Sequence, residues 1–142
     1  MVTCIEKQQR VKEIFSTCSD EEERYTKIIE LGRENPKLPA AFKIEENLVA
    51  GCQSIMYLHS TLKEGKVFFA SDSEALISAG LSVLLIKVYS GETPETILTC
   101  PPNFLDELGI GAGLTPGRAN GLYSIHLRMK QDALKFLTGK GV

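Results

Sequence analysis

Thiols are the most reactive groups in this chain, which has four: Cys4, Cys18, Cys52 and Cys100. None belongs to a CxxC pair, and no histidine cluster accompanies them, so the paired spacings of a structural zinc site are missing. Cys4 and Cys18 fall on the apolar stripe of a predicted first helix with Val11, Ile14 and Phe15. There a free cysteine behaves as a small hydrophobe. Cys100 precedes Pro101-Pro102, in a turn between predicted helices, and has no local partner. Cys52 is set differently, in Ala50-Gly51-Cys52-Gln53-Ser54. Gly51 can take backbone angles that a side chain forbids, which would let Cys52 sit on a tight loop. On the residues alone, Cys52 stays open between packing and reactivity.

The glycine-rich stretch from Gly109 to Gly121 contains neither GxGxxG nor GK[ST], so a phosphate cradle is not supported. It ends in Thr115-Pro116-Gly117-Arg118-Ala119-Asn120-Gly121. A cation in a first helical turn opposes the macrodipole by a few tenths of a kcal/mol. The plain reading is Arg118 on a solvated first turn, but the placement is tolerated more readily with an anionic partner, and a thiolate or persulfide would be one. Asp72 and Glu74 read most simply as helix-start residues. His59, on a predicted strand, and His126, on a predicted terminal helix, are isolated, and neither completes a Cys-His-Asn arrangement.

The elements that must position these groups are legible in outline. The first helix spans about Thr3 to Cys18. Ser19 and Glu22 form a candidate capping box for a second helix, which Asn35-Pro36 ends. Residues 35–47 read as irregular. Strands are expected over Ser54 to Leu62 and Lys66 to Ala70, joined at Glu64-Gly65 as an antiparallel hairpin. Ser71 and Glu74 form a second candidate box for an apolar helix running to about Tyr89 and stopped by Gly91. Thr93-Pro94 and Thr115-Pro116 each place an N-cap before Pro at the first helical position. After the second, Leu122, Ile125, Met129, Ala133, Leu134 and Leu137 recur as a core stripe. Helices, a small antiparallel sheet, then helices: the fold class is α+β.

The chain has 142 residues, 43% of them hydrophobic and 24% charged, which suits one domain over residues 1–142. Sixteen basic against eighteen acidic residues give a formal charge of −2, with no concentrated basic face to hold nucleic acid. The longest apolar run, Leu81 to Ile86, is far too short to cross a bilayer. The first residues carry no apolar h-region, so a cytoplasmic protein with four reduced thiols is expected, without nucleic-acid or membrane partners.

Several segments together resemble the SufE family, the sulfur acceptors of iron–sulfur cluster assembly. They are Gly51-Cys52-Gln53-Ser54, Ser71-Asp72-Ser73-Glu74-Ala75 with Gly80-Leu81, Thr93-Pro94-Glu95 before Ile97-Leu98, and Leu114 through Leu122. Arg24-Tyr25 through Gly32 is similar to the family's second helix. The resemblance covers most of the chain. It implies a fold shared with IscU-type scaffolds, and it implies that Cys52 takes persulfide sulfur from a SufS-like cysteine desulfurase. The sulfur would pass to a scaffold such as SufB or the SufBCD complex. Pyridoxal phosphate belongs to the desulfurase, so this chain is expected to need no cofactor and no metal.

The resemblance further implies that Cys52 rests sheltered in an apolar cavity until a partner draws its loop out. Arg118 would then support the thiolate or persulfide. Gly51, Gln53, Ser54, Asp72, Glu74, Asn120 and Gly121 would border the loop and the docking surface. Two positions depart from the family pattern: Glu74, where Asp is frequent, and Gly117, where Ser is frequent and where glycine is expected to loosen the helix start. Two other readings compete. One is a cluster or metal scaffold using Cys52, Cys100 and a histidine. The other is a thiol redox sensor, which would need a resolving cysteine near Cys52.

Overall fold

The computed structural model describes residues 2–139. Helix α1 (Cys4–Ile14) is capped by Thr3, whose Oγ accepts from the Glu6 N–H. It stops short of the expected Cys18, because the Phe15 N–H turns back to the Lys12 carbonyl and Ser16 Oγ binds the Glu13 carbonyl. Cys18 therefore sits in the turn after the helix, half-buried against the core. Helix α2 (Glu21–Glu34) does begin in a reciprocal box, but one residue later than expected. Asp20 accepts from the Glu23 N–H at 2.8 Å, and the Glu23 carboxylate accepts from the Ser19 N–H at 2.6 Å.

Two 3₁₀ turns, Ala40–Phe42 and Glu45–Asn47, lead to the hairpin of β1 (Tyr57–Lys63) and β2 (Lys66–Asp72). Tyr57 pairs with Asp72 and Lys63 with Lys66, around Glu64-Gly65 with φ of 53° and 78°. Positive φ at both central residues is the turn whose twist matches the strands it joins. β2 reaches two residues beyond the expected Ala70, and this overturns the Ser71–Glu74 capping box. Ser71 Oγ is engaged with Ser82 Oγ at 2.7 Å, and the Asp72 carboxylate with the Leu38 N–H and Lys43. Helix α3 (Leu76–Tyr89) thus starts later, from Ala75, with no side-chain cap.

Helix α3 is apolar on nearly every face because it runs through the middle of the molecule. It crosses α2 with backbones touching. A Cβ on Gly80 would lie 2.0 Å from the Ile28 carbonyl oxygen, and one on Gly32 would lie 2.3 Å from that of Leu76. Leu58, Val67 and Phe69 of the hairpin join Leu81, Leu84, Leu85 and Val88 in the core. Helices α4 (Pro94–Thr99) and α6 (Pro116–Leu137) start at the expected Thr-Pro pairs, with Thr93 and Thr115 as caps. A short α5 (Asn103–Glu107), which no sequence pattern marks, packs against α1 and buries Phe104. On α6, Leu122, Ile125, Met129 and Ala133 are buried, whereas Leu134 and Leu137 rotate off that face and are half-exposed.

The four cysteines are not all reduced, contrary to the expectation from sequence. Cys4 and Cys100 form a disulfide, so the described chain has two free cysteines, Cys18 and Cys52. The pairing joins the start of α1 to the end of α4, 96 residues apart, a proximity that no local pattern encodes. Among the described residues, no helix is long and apolar enough to cross a membrane.

Candidate functional site

The site is built on a loop closed at its root. The Val49 N–H donates to the Met56 carbonyl at 2.9 Å, and Leu48 bridges Tyr57, so residues 50–55 project as a closed excursion. Gly51 stands at φ +89°, and a Cβ there would lie 2.4 Å from Ser124 Oγ on α6. The positive φ is what requires glycine, and any side chain there would also have to displace the Ser124 hydroxyl. Cys52 follows it, half-buried, with Sγ 3.8 Å from the Gly121 carbonyl oxygen. Gln53 lies over Gly117, so closely that a Cβ at 117 would come within 2.2 Å of its amide. Gly117 thus leaves room for the Gln53 side chain of the Cys52 loop, on a helix start that Thr115 caps.

Cys52 faces a cavity of about 460 Å³ between the loop, α3 and α6. Ile29, Leu81 and Leu122 make its wall apolar, and Glu74 and Arg118 stand on its rim. A second hollow of about 420 Å³ is lined by the loop itself together with Glu45 and Leu48. Burial pushes the Cys52 thiol above its ordinary range, since a thiolate loses hydration there. Burial therefore favours the thiol form of Cys52 over its thiolate.

Arg118 lies in the first turn of α6, but its guanidinium does not point to sulfur. Nη1 donates to Tyr25 Oη at 2.6 Å, and the group lies 5.5 Å from the centre of the Tyr25 ring. The expected anionic partner is here an aromatic face and a phenol, which also favour a cation. Arg118 shares the cavity with Cys52 while being held by α2. Tyr25 was missed as its partner, although Arg24-Tyr25 was among the family-like segments.

The remaining candidates separate. Ser54 and Glu74 border both the Cys52 cavity and an adjoining hollow of about 570 Å³. Gly121 underlies the sulfur, and Asn120 is exposed on α6. Asp72 is buried at the end of β2, not at a helix start. Burial works to raise its carboxyl, but the Leu38 N–H, Lys43 and Lys37 outweigh this and hold it below the usual carboxylate range. Asp72 thereby ties residues 38–43 to the hairpin. Neither histidine lines the Cys52 cavity. His59 stacks on Phe42, with ring centres 3.9 Å apart, and His126 lies against Tyr89 with Nε2 buried and unpartnered. Burial, aided by Lys130, lowers His126 to about 4.

A family model for SufE, described as an Fe–S metabolism associated domain, matches residues 9–133. The chain belongs to the SufE family. That membership associates it with iron–sulfur metabolism. An uncharacterised SufE-like protein of Synechocystis sp. is 35% identical over 131 residues, covering 92% of this chain and 82% of that protein. The chloroplastic/mitochondrial SufE-like protein 1 of Arabidopsis thaliana is 31% identical over 129 residues. That match covers 90% of this chain but 35% of the longer plant protein. The solution structure of a hypothetical protein from Thermus thermophilus has the same fold, with a TM-score of 0.76 at 28% identity. It is matched over 97% of this chain and 99% of that one. The SufE relationship and the small α+β fold therefore agree.

Proposed function

We propose that this SufE-family chain is a cytoplasmic sulfur acceptor, taking sulfane sulfur on Cys52 from the persulfide of a SufS-like cysteine desulfurase. It then passes the sulfur to an iron–sulfur scaffold of the SufB type. One observation carries the reading: Cys52 is the free thiol on a glycine-hinged loop over an apolar cavity, whereas Cys4 and Cys100 are bonded to each other.

In the transfer step the Cys52 thiolate attacks the outer sulfur of the desulfurase persulfide. The S–S bond of that persulfide breaks, the desulfurase cysteine leaves as a thiolate and takes up a proton, and Cys52 becomes the persulfide. Sulfane sulfur moves without net oxidation or reduction. Because burial disfavours the Cys52 thiolate, docking must raise its exposure before attack, which ties reactivity to the correct partner. Arg118 lines the same cavity but is held by Tyr25 at rest, so it would have to turn from that phenol to favour the persulfide anion once it forms. The scaffold alternative is weakened because Cys100 is already bonded to Cys4. The sensor alternative lacks a resolving thiol, since Cys18 borders a separate hollow beside Asp20 and Lys27.

After incubation with a desulfurase and cysteine, intact mass should rise by about 32 Da per accepted sulfur, on the peptide holding Cys52. The protein should also stimulate the desulfurase several-fold, and Cys52→Ser should abolish both effects. Stimulation by Cys52→Ser equal to wild type would reduce the chain to a binding module and end the acceptor reading.

A further inference from the structure

Three close approaches of the loop fall along one helix. Gln53 rests on Gly117, Cys52 Sγ on Gly121 and Gly51 on Ser124. Those positions, continued to Arg128, step along α6 at the three- and four-residue spacing of a single helical face. At its last position the face carries a guanidinium with three engagements. Arg128 Nη1 donates to the Leu48 carbonyl at 2.8 Å, Nη2 to the Glu46 carbonyl, and Nε to Asp132 Oδ1 at 3.0 Å. Asp132 is fully buried, and its other oxygen accepts from Ser60 Oγ of β1 at 2.6 Å.

This geometry bears on the root of the Cys52 loop. The Leu48 carbonyl and the Val49 N–H belong to one peptide unit. Arg128 holds its oxygen, and the Met56 carbonyl holds its N–H. The peptide from which the loop departs is therefore fixed on both sides, once to α6 and once across the loop's own neck. Fork geometry suits this task, because one planar group reaches two carbonyls while a buried carboxylate sets its plane. We infer that Arg128, oriented by Asp132 and Ser60, is a positioning residue that sets how often the Cys52 loop leaves α6. This rests on Cys52 being the reactive thiol of the proposed function. It assigns to Arg128 no contact with sulfur.

The test is alkylation of the intact protein by iodoacetamide, followed peptide by peptide across pH, and it requires no desulfurase. Arg128→Met paired with Asp132→Asn removes the grip without stranding a buried charge. Arg128→Lys keeps the ion pair but reaches fewer carbonyls, and serves if the double variant does not fold. In the double variant Cys52 should react about ten-fold faster, the effect of losing one charge-assisted hydrogen bond that holds the closed loop. Arg128→Lys should fall between it and wild type. The pH midpoint for Cys52 should move down toward the ordinary thiol range, while Cys18 should react as before. The charged groups bordering Cys52, namely Glu45, Glu74 and Arg118, are untouched by these changes. An unchanged Cys52 rate in a folded variant overturns the inference. So does an equal acceleration of Cys18, which would mark general loosening. Failure of sulfur transfer with the expected alkylation pattern would instead count against the acceptor reading alone.

Discussion

Gln8 engages the sulfur at one end of the molecule from several directions. Its amide nitrogen lies 3.8 Å from Cys4 Sγ, 3.3 Å from Cys100 Sγ and 2.9 Å from the Pro101 carbonyl, while its oxygen accepts from the Phe104 N–H. Tyr89 Oη adds a 2.6 Å bond to the Cys100 carbonyl. At the Cys52 loop the sulfur has one long contact to a carbonyl, and the backbone around it touches α6 through glycine positions. The first arrangement fixes sulfur by satisfying everything near it. The second leaves open space beside the sulfur, and burial there favours the thiol over the thiolate. The two sulfurs thus differ in how many partners hold them.

The largest effect that separates the two regions is on stability. The Cys4–Cys100 bond closes a separation of 96 residues, and removing such a link typically costs about 2–4 kcal/mol. For a chain of this size, Tm should fall on the order of 10 °C on reduction or in Cys100→Ser. Cys52→Ser should change Tm little, because its side chain has few partners to lose. Thermal unfolding with and without reductant measures both. If reduction leaves the wild-type Tm unmoved, the two regions do not differ in the way described.

A smaller effect should appear with acid at the same end. His126 lies against Tyr89, the residue that holds the Cys100 carbonyl, and titrates near 4 in the fold. Its ordinary value is 6.5, so the unfolded chain binds more protons between those two values. The stability contributed by the neutral imidazole is therefore full above pH 6.5 and is lost as pH falls toward 4. With its solvent-facing edge discounted, it amounts to about 2 kcal/mol. His126→Phe should flatten the stability profile across that window. Asp72, held below the usual carboxylate range, should govern a further loss at lower pH, present in both proteins. A wild-type profile already flat from 6.5 to 4 would show that His126 is not sealed against Tyr89.

What the sequence disclosed follows the range of the chemistry involved. Thr93-Pro94 and Thr115-Pro116 mark helix starts because a cap acts within three residues. Glu64-Gly65 marks the hairpin because the turn sets its own register. Ser71 and Glu74 misled because Ser71 was already bonded to Ser82 and Asp72 to Lys43, partners that no local pattern names. The site divides the same way. Gly51-Cys52 was visible as an odd loop, but Tyr25 beneath Arg118 and Arg128 behind Leu48 are contacts across 93 and 80 residues. Such contacts depend on how α2, α6 and the hairpin pack, which the residues show only once the fold exists.

The smallest effect probes the loop itself, through Gly117. Gly117 occupies the second position of α6, where replacing glycine by Ser or Ala removes backbone freedom from the unfolded chain and favours the helix by up to about 1 kcal/mol. A Cβ there would also meet the Gln53 amide at 2.2 Å. That amide is the end of a flexible side chain, so it should swing away at little cost in stability. Its departure removes one of the contacts holding the loop to α6. Gly117→Ser should therefore leave Tm unchanged or slightly raised while Cys52 alkylation speeds up two- to three-fold, which is roughly 0.5 kcal/mol of loop opening. Gln53→Ala should accelerate Cys52 similarly without the gain in Tm. Combining the two should add little to the Cys52 rate, because both changes remove one contact. Stability and thiol reactivity would then rise together in a single variant, as expected if the loop is held separately from the fold beneath it. Gly117→Ser with an unaltered Cys52 rate would show that Gln53 merely rests on α6 and that the Arg128 root alone restrains the loop.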